Sequence, residues 1–183
     1  NYTLDASQEG SADWNKAVTN ENFRKAWYHG MDFTEIVKFT NPYSYESMMS
    51  NVYSPETLSK NSKGVDYTDL GDLAAYNPDK SQARLDDAKF KEAKDAAMTE
   101  LSSQGVTFPV KVYLAYQSGS KTEEDKFQIS KKAYEDSLGT DFVQVIGQPY
   151  IKSSVSEVYS KNLQSIMVGG WGADYGDPYN FVF

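Results

Sequence analysis

Cysteine is absent from this 183-residue chain. That excludes disulfides, thiolate metal sites and a cysteine nucleophile, but leaves the compartment open, because exported bacterial proteins often lack cysteine too. Histidine occurs once, at His29, on a predicted helix where a surface or capping role fits better than catalysis. No Gly-x-Ser-x-Gly nucleophile motif is present. Positive charge is in deficit: the formal net charge is -8 and the pI is near 4.7. Such a surface repels a phosphate backbone or an anionic membrane, and the lysines are scattered among acids, so nucleic acid is not expected as a partner. No run approaches the roughly 20 apolar residues of a membrane helix. The start, Asn1-Tyr2-Thr3-Leu4-Asp5, has neither an initiator Met nor a signal-like apolar region, and the chain stops in Asn180-Phe181-Val182-Phe183. A piece of a longer protein, truncated at both ends, is expected.

What is present is ordinary for a globular domain: 39% apolar and 24% charged residues, with a rich 14% of aromatics that includes 14 tyrosines. The length suits one domain or one large lobe with a single core. Alternation at residues 2–4 predicts a short strand, and residues 6–12 read as a loop. Asn20 is a good N-cap for a helix whose Phe23, Ala26, Trp27 and Gly30 share a face. Asp32-Phe33-Thr34-Glu35 has capping-box spacing for a second helix. Residues 41–79 lose periodicity and carry five tyrosines (Tyr43, Tyr45, Tyr53, Tyr67 and Tyr76), which predicts a long packed loop, functional or merely covering.

Asn77-Pro78-Asp79 predicts a turn opening a helix that aligns Phe90, Ala93, Ala97 and Leu101 and ends at Gly105. Strands follow at 110–116, 142–146 and 165–169. Between them lie a helix signalled by Thr122-Glu123-Glu124-Asp125 and ending at Leu138-Gly139, and another over 153–163. Helices alternating with strands argue an α/β fold with at least partly parallel strands.

The chemistry concentrates after the last strand, in Gly169-Gly170-Trp171-Gly172-Ala173-Asp174-Tyr175-Gly176-Asp177-Pro178-Tyr179-Asn180-Phe181. In open α/β sheets ligands sit at the carboxyl ends of strands, and small residues there let a ligand approach the backbone. An aromatic beside a carboxylate suits a cationic or amphipathic guest; the same residues also suit a plain turn. The stretch from Trp171 to Phe181 resembles the Trp-x-Ala-Asp-Tyr-x-Asp-Pro-x-Asn-Phe signature of the bacterial extracellular solute-binding family that serves oligopeptide and dipeptide ABC transporters. Three further segments fall in that family's order: Asn22-Phe23-Arg24-Lys25-Ala26 leading to Met31-Asp32, Tyr76-Asn77-Pro78-Asp79-Lys80-Ser81-Gln82-Ala83, and Leu138-Gly139-Thr140-Asp141-Phe142-Val143-Gln144-Val145.

The resemblance implies that residues 1–183 form a single α/β lobe, the C-terminal peptide-binding lobe of a type II periplasmic-binding-protein-like fold, with a mixed sheet flanked by helices. It implies a monomeric, extracellular lipoprotein, or a periplasmic protein, that hands an oligopeptide to the membrane permease of an ABC importer, with no cofactor, no metal and no enzymatic activity. Asp174 would hold the peptide's α-ammonium, Trp171 would pack beside its first residues, and Gly172 and Ala173 would bond its backbone. Tyr150 resembles a family aromatic that touches the ligand. One departure concerns length selection. Val168 stands where some members carry an Arg for the carboxylate of short peptides, so a ruler for one peptide length is not implied. Other readings stay open: a surface adhesin or peptide-signal receptor module on the same fold, or a binder of nickel chelates, haem or oligosaccharides. An enzyme that pairs Asp174 with Asp177 fits poorly, because glycoside hydrolysis sets its carboxylates about 5–10 Å apart across a substrate.

Overall fold

The computed structural model describes residues 3–49, 60–71 and 84–167. In chain order these hold α1 (Ser11–Ala17), α2 (Glu21–Gly30), α3 (Thr34–Thr40), α4 (Asp87–Ser103), β1 (Val110–Gln117), α5 (Lys121–Leu138), β2 (Val143–Tyr150) and α6 (Ser154–Glu157), with short 3-10 turns at Tyr45–Met48, Tyr67–Asp69 and Tyr159–Lys161.

β1 and β2 pair in parallel from Val110↔Val143 to Gln117↔Tyr150, and α5 makes the crossover that a parallel pair requires. Leu114 pairs with Gly147 on one side and forms a parallel bridge to Ile166 on the other, so β1 is the central strand. Beside that bridge, the Ser165 amide donates to the Tyr113 carbonyl at 2.8 Å, and the Tyr113 amide donates to Ser165 Oγ at 2.9 Å. The strand expected at 165–169 is thus present as a parallel bridge, with residues 168 and 169 outside the described range.

Both strands bury Val110, Val112, Val143 and Val145 almost completely, as parallel strands covered by helices do. One continuous core joins them to Trp14 of α1, Phe23 of α2, Ala97 and Leu101 of α4, and Leu138 of α5. Each such aliphatic or aromatic side chain contributes about 1.5–3 kcal/mol by leaving water. Where α2 meets α4, contact is close: a Cβ on Gly30 would lie 2.5 Å from Phe90 Cδ2, so only glycine fits. The joint is tied at both ends. Asn20 and Asn22 each donate to Glu100 at 2.8 Å, and the Arg84 guanidinium donates to the last carbonyls of α2, Tyr28 O at 2.7 Å and Met31 O at 2.6 Å. His29 takes a structural part here, with Nδ1 2.8 Å from the Arg84 carbonyl oxygen.

Several elements match their signals. Asn20 Oδ1 accepts the Phe23 amide at 2.8 Å and starts α2, and the aligned face of α4 buries Ala93, Ala97 and Leu101. Others differ. Residues 3–5 form no strand; instead the Asn15 side chain accepts from Leu4 N–H at 2.7 Å and donates to Leu4 O at 3.0 Å, replacing a neighbouring strand with one amide. The loop expected at 6–12 ends early, because α1 begins at Ser11 to bury Trp14 and Ala17.

The capping box at Asp32 is not formed. Asp32 Oδ1 accepts the Thr34 amide at 2.8 Å, while Glu35 turns away to pair with Lys38 at 3.0 Å. α4 starts after Asp86, whose Oδ1 caps Lys89 at 3.0 Å, and the Asn77-Pro78-Asp79 turn lies outside the described residues. α5 starts after Ser120, with the Gly119 amide donating to Glu124 at 2.8 Å, so Thr122 is inside the helix and not its cap. The helix expected over 153–163 breaks into α6 and a 3-10 turn, ended by Asn162 in the left-handed region at φ 54°. Within 41–79, the described parts hold the first two 3-10 turns and a bridge between Lys60 and Asp66.

Candidate functional site

β1 and β2 run the same way and finish at one end of the sheet, and Ile166 bridges β1 in the same direction. Gln117 and Tyr150 are the last residues of the two full strands and face each other in register. Tyr150 is half-buried. On the opposite face of the sheet the Tyr116 ring stacks on Phe127 of α5 with centroids 4.7 Å apart. A Cβ on Gly147 would fall 2.8 Å from the Tyr116 ring, so glycine there makes room for the stack.

The turn after β2 is held by polar groups. The Ser118 amide donates to the Tyr150 carbonyl at 2.8 Å, and Gln117 Nε2 donates to the Ile151 carbonyl at 3.1 Å. Glu157 accepts three successive amides: Ile151 at 3.0 Å, Lys152 at 2.8 Å and Ser153 at 2.8 Å. These backbone donors, that of Ile151 foremost, hold its carboxyl below the usual range. From the other side Gln8 Nε2 reaches both Gln148 Oε1 and the Leu163 carbonyl at 2.7 Å, tying the first loop to β2 and to the approach of the third strand.

Tyr150 therefore stands at the expected end of the sheet. Trp171, Gly172, Ala173 and Asp174 lie outside the described residues, as does Val168; the described chain reaches Met167, one residue beyond the Ile166 bridge. Glu157, Gln117 and Gln8 carried no expectation from the sequence. Glu157 lies four residues after the Ser153 cap, one beyond capping-box spacing, and Gln8 and Gln148 are 140 positions apart, so neither left a signal.

A concavity of about 340 Å³ opens between α1, α2 and the segment through Ile166, walled by Trp14, Phe23, Trp27, Ile166 and Met167. Of its polar groups, Arg24 donates to the Val18 carbonyl at 3.0 Å and Ser165 Oγ accepts from Tyr113, while the buried indole N–H groups of Trp14 and Trp27 find no hydrogen-bond partner among the described residues. The phenol of Tyr134 is pushed up to about 12 by burial. It packs 5.4 Å from Trp27 and 6.2 Å from Phe33 as a core group. Among the described residues no group of three His, Asp or Glu side chains could hold a metal ion, and no helix is long and apolar enough to cross a membrane.

An α/β lobe whose parallel strands finish at one end is the fold of the peptide-binding domains of type II periplasmic binding proteins, and solved structures of that class superpose on this chain. A crystal structure of the peptide-binding protein of a peptide ABC transporter matches 98% of this chain and 70% of its own length, with a TM-score of 0.61 at 23% identity. The substrate-binding domain of an oligopeptide ABC transporter from Bacillus anthracis matches 91% of this chain and 29% of its own, with a TM-score of 0.59 at 20% identity.

The chain belongs to the bacterial extracellular solute-binding proteins, family 5 (Middle), whose family model matches residues 2–183. It is 29% identical over 208 residues to the oligopeptide-binding protein AliA of Streptococcus pneumoniae, covering 99% of this chain and 30% of AliA. It is 25% identical over 206 residues to the oligopeptide-binding protein SarA of Streptococcus gordonii, covering 100% and 30%. A dipeptide-binding protein of Lactococcus lactis is 24% identical over 182 residues, again with 30% of its length covered. The chain thus spans about 30% of the length of the curated relatives it matches.

Proposed function

We propose that residues 1–183 are one lobe of the substrate-binding component of an ABC importer, which captures extracellular oligopeptides in a cleft between two lobes. The observation that carries this reading is the Trp171-Gly172-Ala173-Asp174-Tyr175-Gly176-Asp177-Pro178 signature, which follows in sequence shortly after Ile166, the residue that bridges β1 in parallel. Family membership and the names of the relatives support it.

In this reading Asp174 accepts a charge-assisted hydrogen bond from the peptide's α-ammonium, which contributes about 1.5–3 kcal/mol in a dehydrated cleft. Removing one member of a fully buried pair costs more, about 3–5 kcal/mol, because the other charge is stranded. Trp171 packs beside the first ligand residues. The backbone at Gly172 and Ala173 bonds the extended peptide as an added strand, which is blind to side-chain identity and so tolerates many sequences. The protein acts as a monomeric binder without catalysis, held outside the membrane by a lipid anchor or free in a periplasm, and delivers its load to a permease.

Calorimetry on the full-length protein tests the assignment. Peptides with free amino termini should bind at least about tenfold more tightly than their N-acetylated forms, and Asp174→Asn should remove that preference. Equal affinity for free and acetylated peptides would refute the ammonium role.

A further inference from the structure

The turn that follows Tyr150 is not fixed by apolar packing. Ile151 is 69% exposed and Val155 63% exposed, so the apolar side chains of this turn and of α6 face outward. Polar groups hold the turn, and one carboxylate takes most of their bonds. Glu157 Oε1 accepts the Lys152 and Ser153 amides, Oε2 accepts the Ile151 amide, and the Glu157 amide returns a bond to the Ser153 carbonyl at 3.0 Å. Three converging N–H donors match a charged acceptor, and a neutral amide cannot take all three. On the strand side Gln117 and Ser118 close the same turn through the carbonyls of Ile151 and Tyr150.

We propose that Glu157 is a positioning residue for ligand capture: by locking residues 151–153 it fixes where β2 ends and hence how Tyr150 is presented at the carboxyl end of the sheet. This rests on the peptide-binding reading and on Tyr150 meeting the ligand. The turn is thereby pre-organised, so the ligand need not order it on arrival, and ordering costs of that kind are what weaken binding to flexible loops.

The test is a double-mutant cycle in the full-length protein, with a synthetic random oligopeptide library of free amino termini as the probe. Glu157→Gln should weaken apparent affinity about fivefold, and Gln117→Ala, which loosens the turn from its other side, should act in the same direction. If Glu157 works through Tyr150, Glu157→Gln should add almost nothing in a Tyr150→Ala background. Hydrogen exchange at the amides of Ile151, Lys152 and Ser153 should quicken in Glu157→Gln, while the amides of β1 stay protected. Faster exchange with unchanged affinity, or fully additive losses, would overturn the positioning role. Failure of the unaltered protein to bind any of the library would overturn the peptide reading, and the proposal with it.

Discussion

Asp141 shows how one side chain joins local and tertiary structure. Its Oδ1 accepts from Lys94 Nζ at 2.7 Å, and the same ammonium donates to the Leu138 carbonyl at the end of α5 at 3.1 Å. Gly139 makes the turn between them possible: it sits at φ +91°, and a Cβ there would come 2.6 Å from Lys94 Nζ. The bond from Lys94 is the main cause holding the Asp141 carboxyl below its ordinary range. A depressed carboxylate contributes stability that is present above the unfolded value and is lost as pH falls through the folded one. Asp141→Asn should therefore cost under about 1 kcal/mol near neutrality, since the carboxylate is largely exposed. The gap between variant and parent should close below about pH 4, as followed by urea denaturation across pH. A gap that persisted at low pH would mean that packing, not charge, sets the contribution.

At the scale of elements, β2 is paired by β1 on one side only among the described residues, and an unpaired edge is an aggregation hazard. α5 covers that edge with an ion pair. Glu135 accepts the Val145 amide at 2.9 Å, Lys131 donates to the Val145 carbonyl at 2.8 Å, and the two side chains are 2.6 Å apart. Glu135→Ala should leave the Val145 amide without its acceptor and Lys131 without its carboxylate partner, and cost about 1–3 kcal/mol. Chemical denaturation should register the loss, and light scattering should show more association of the variant at equal concentration.

For the molecule as a whole, the share of relatives that the chain covers bears on binding. A hinged clamp buries its ligand only between two halves. In the two-lobe reading proposed above, the 183-residue chain alone should bind oligopeptides at least about a hundredfold more weakly than the full-length protein, a difference that calorimetry reads as a higher Kd. Equal affinity would show that one lobe suffices. The fold should still form by itself, because one continuous core links α1 through β2.

Local periodicity and capping determined a good part of this protein. The face of α2, the Asn20 cap, the buried stripe of α4, β1, the first half of β2 and the alternation that makes the sheet parallel were legible, because each depends on residues within a few positions of one another, whereas β2 runs on through residues 147–150, beyond the expected strand. The signature from Trp171 to Phe181 was legible for the same reason, and it pointed to the family that residues 2–183 match. Tertiary structure alone decided the rest. Leu4 is held by Asn15 instead of by a strand. The turn after Tyr150 is closed from β1 by Gln117 and Ser118, while Gln8 joins β2 across 140 positions. In each case polar groups found partners that only the folded chain brings within hydrogen-bonding reach, and neither periodicity nor composition encodes that distance.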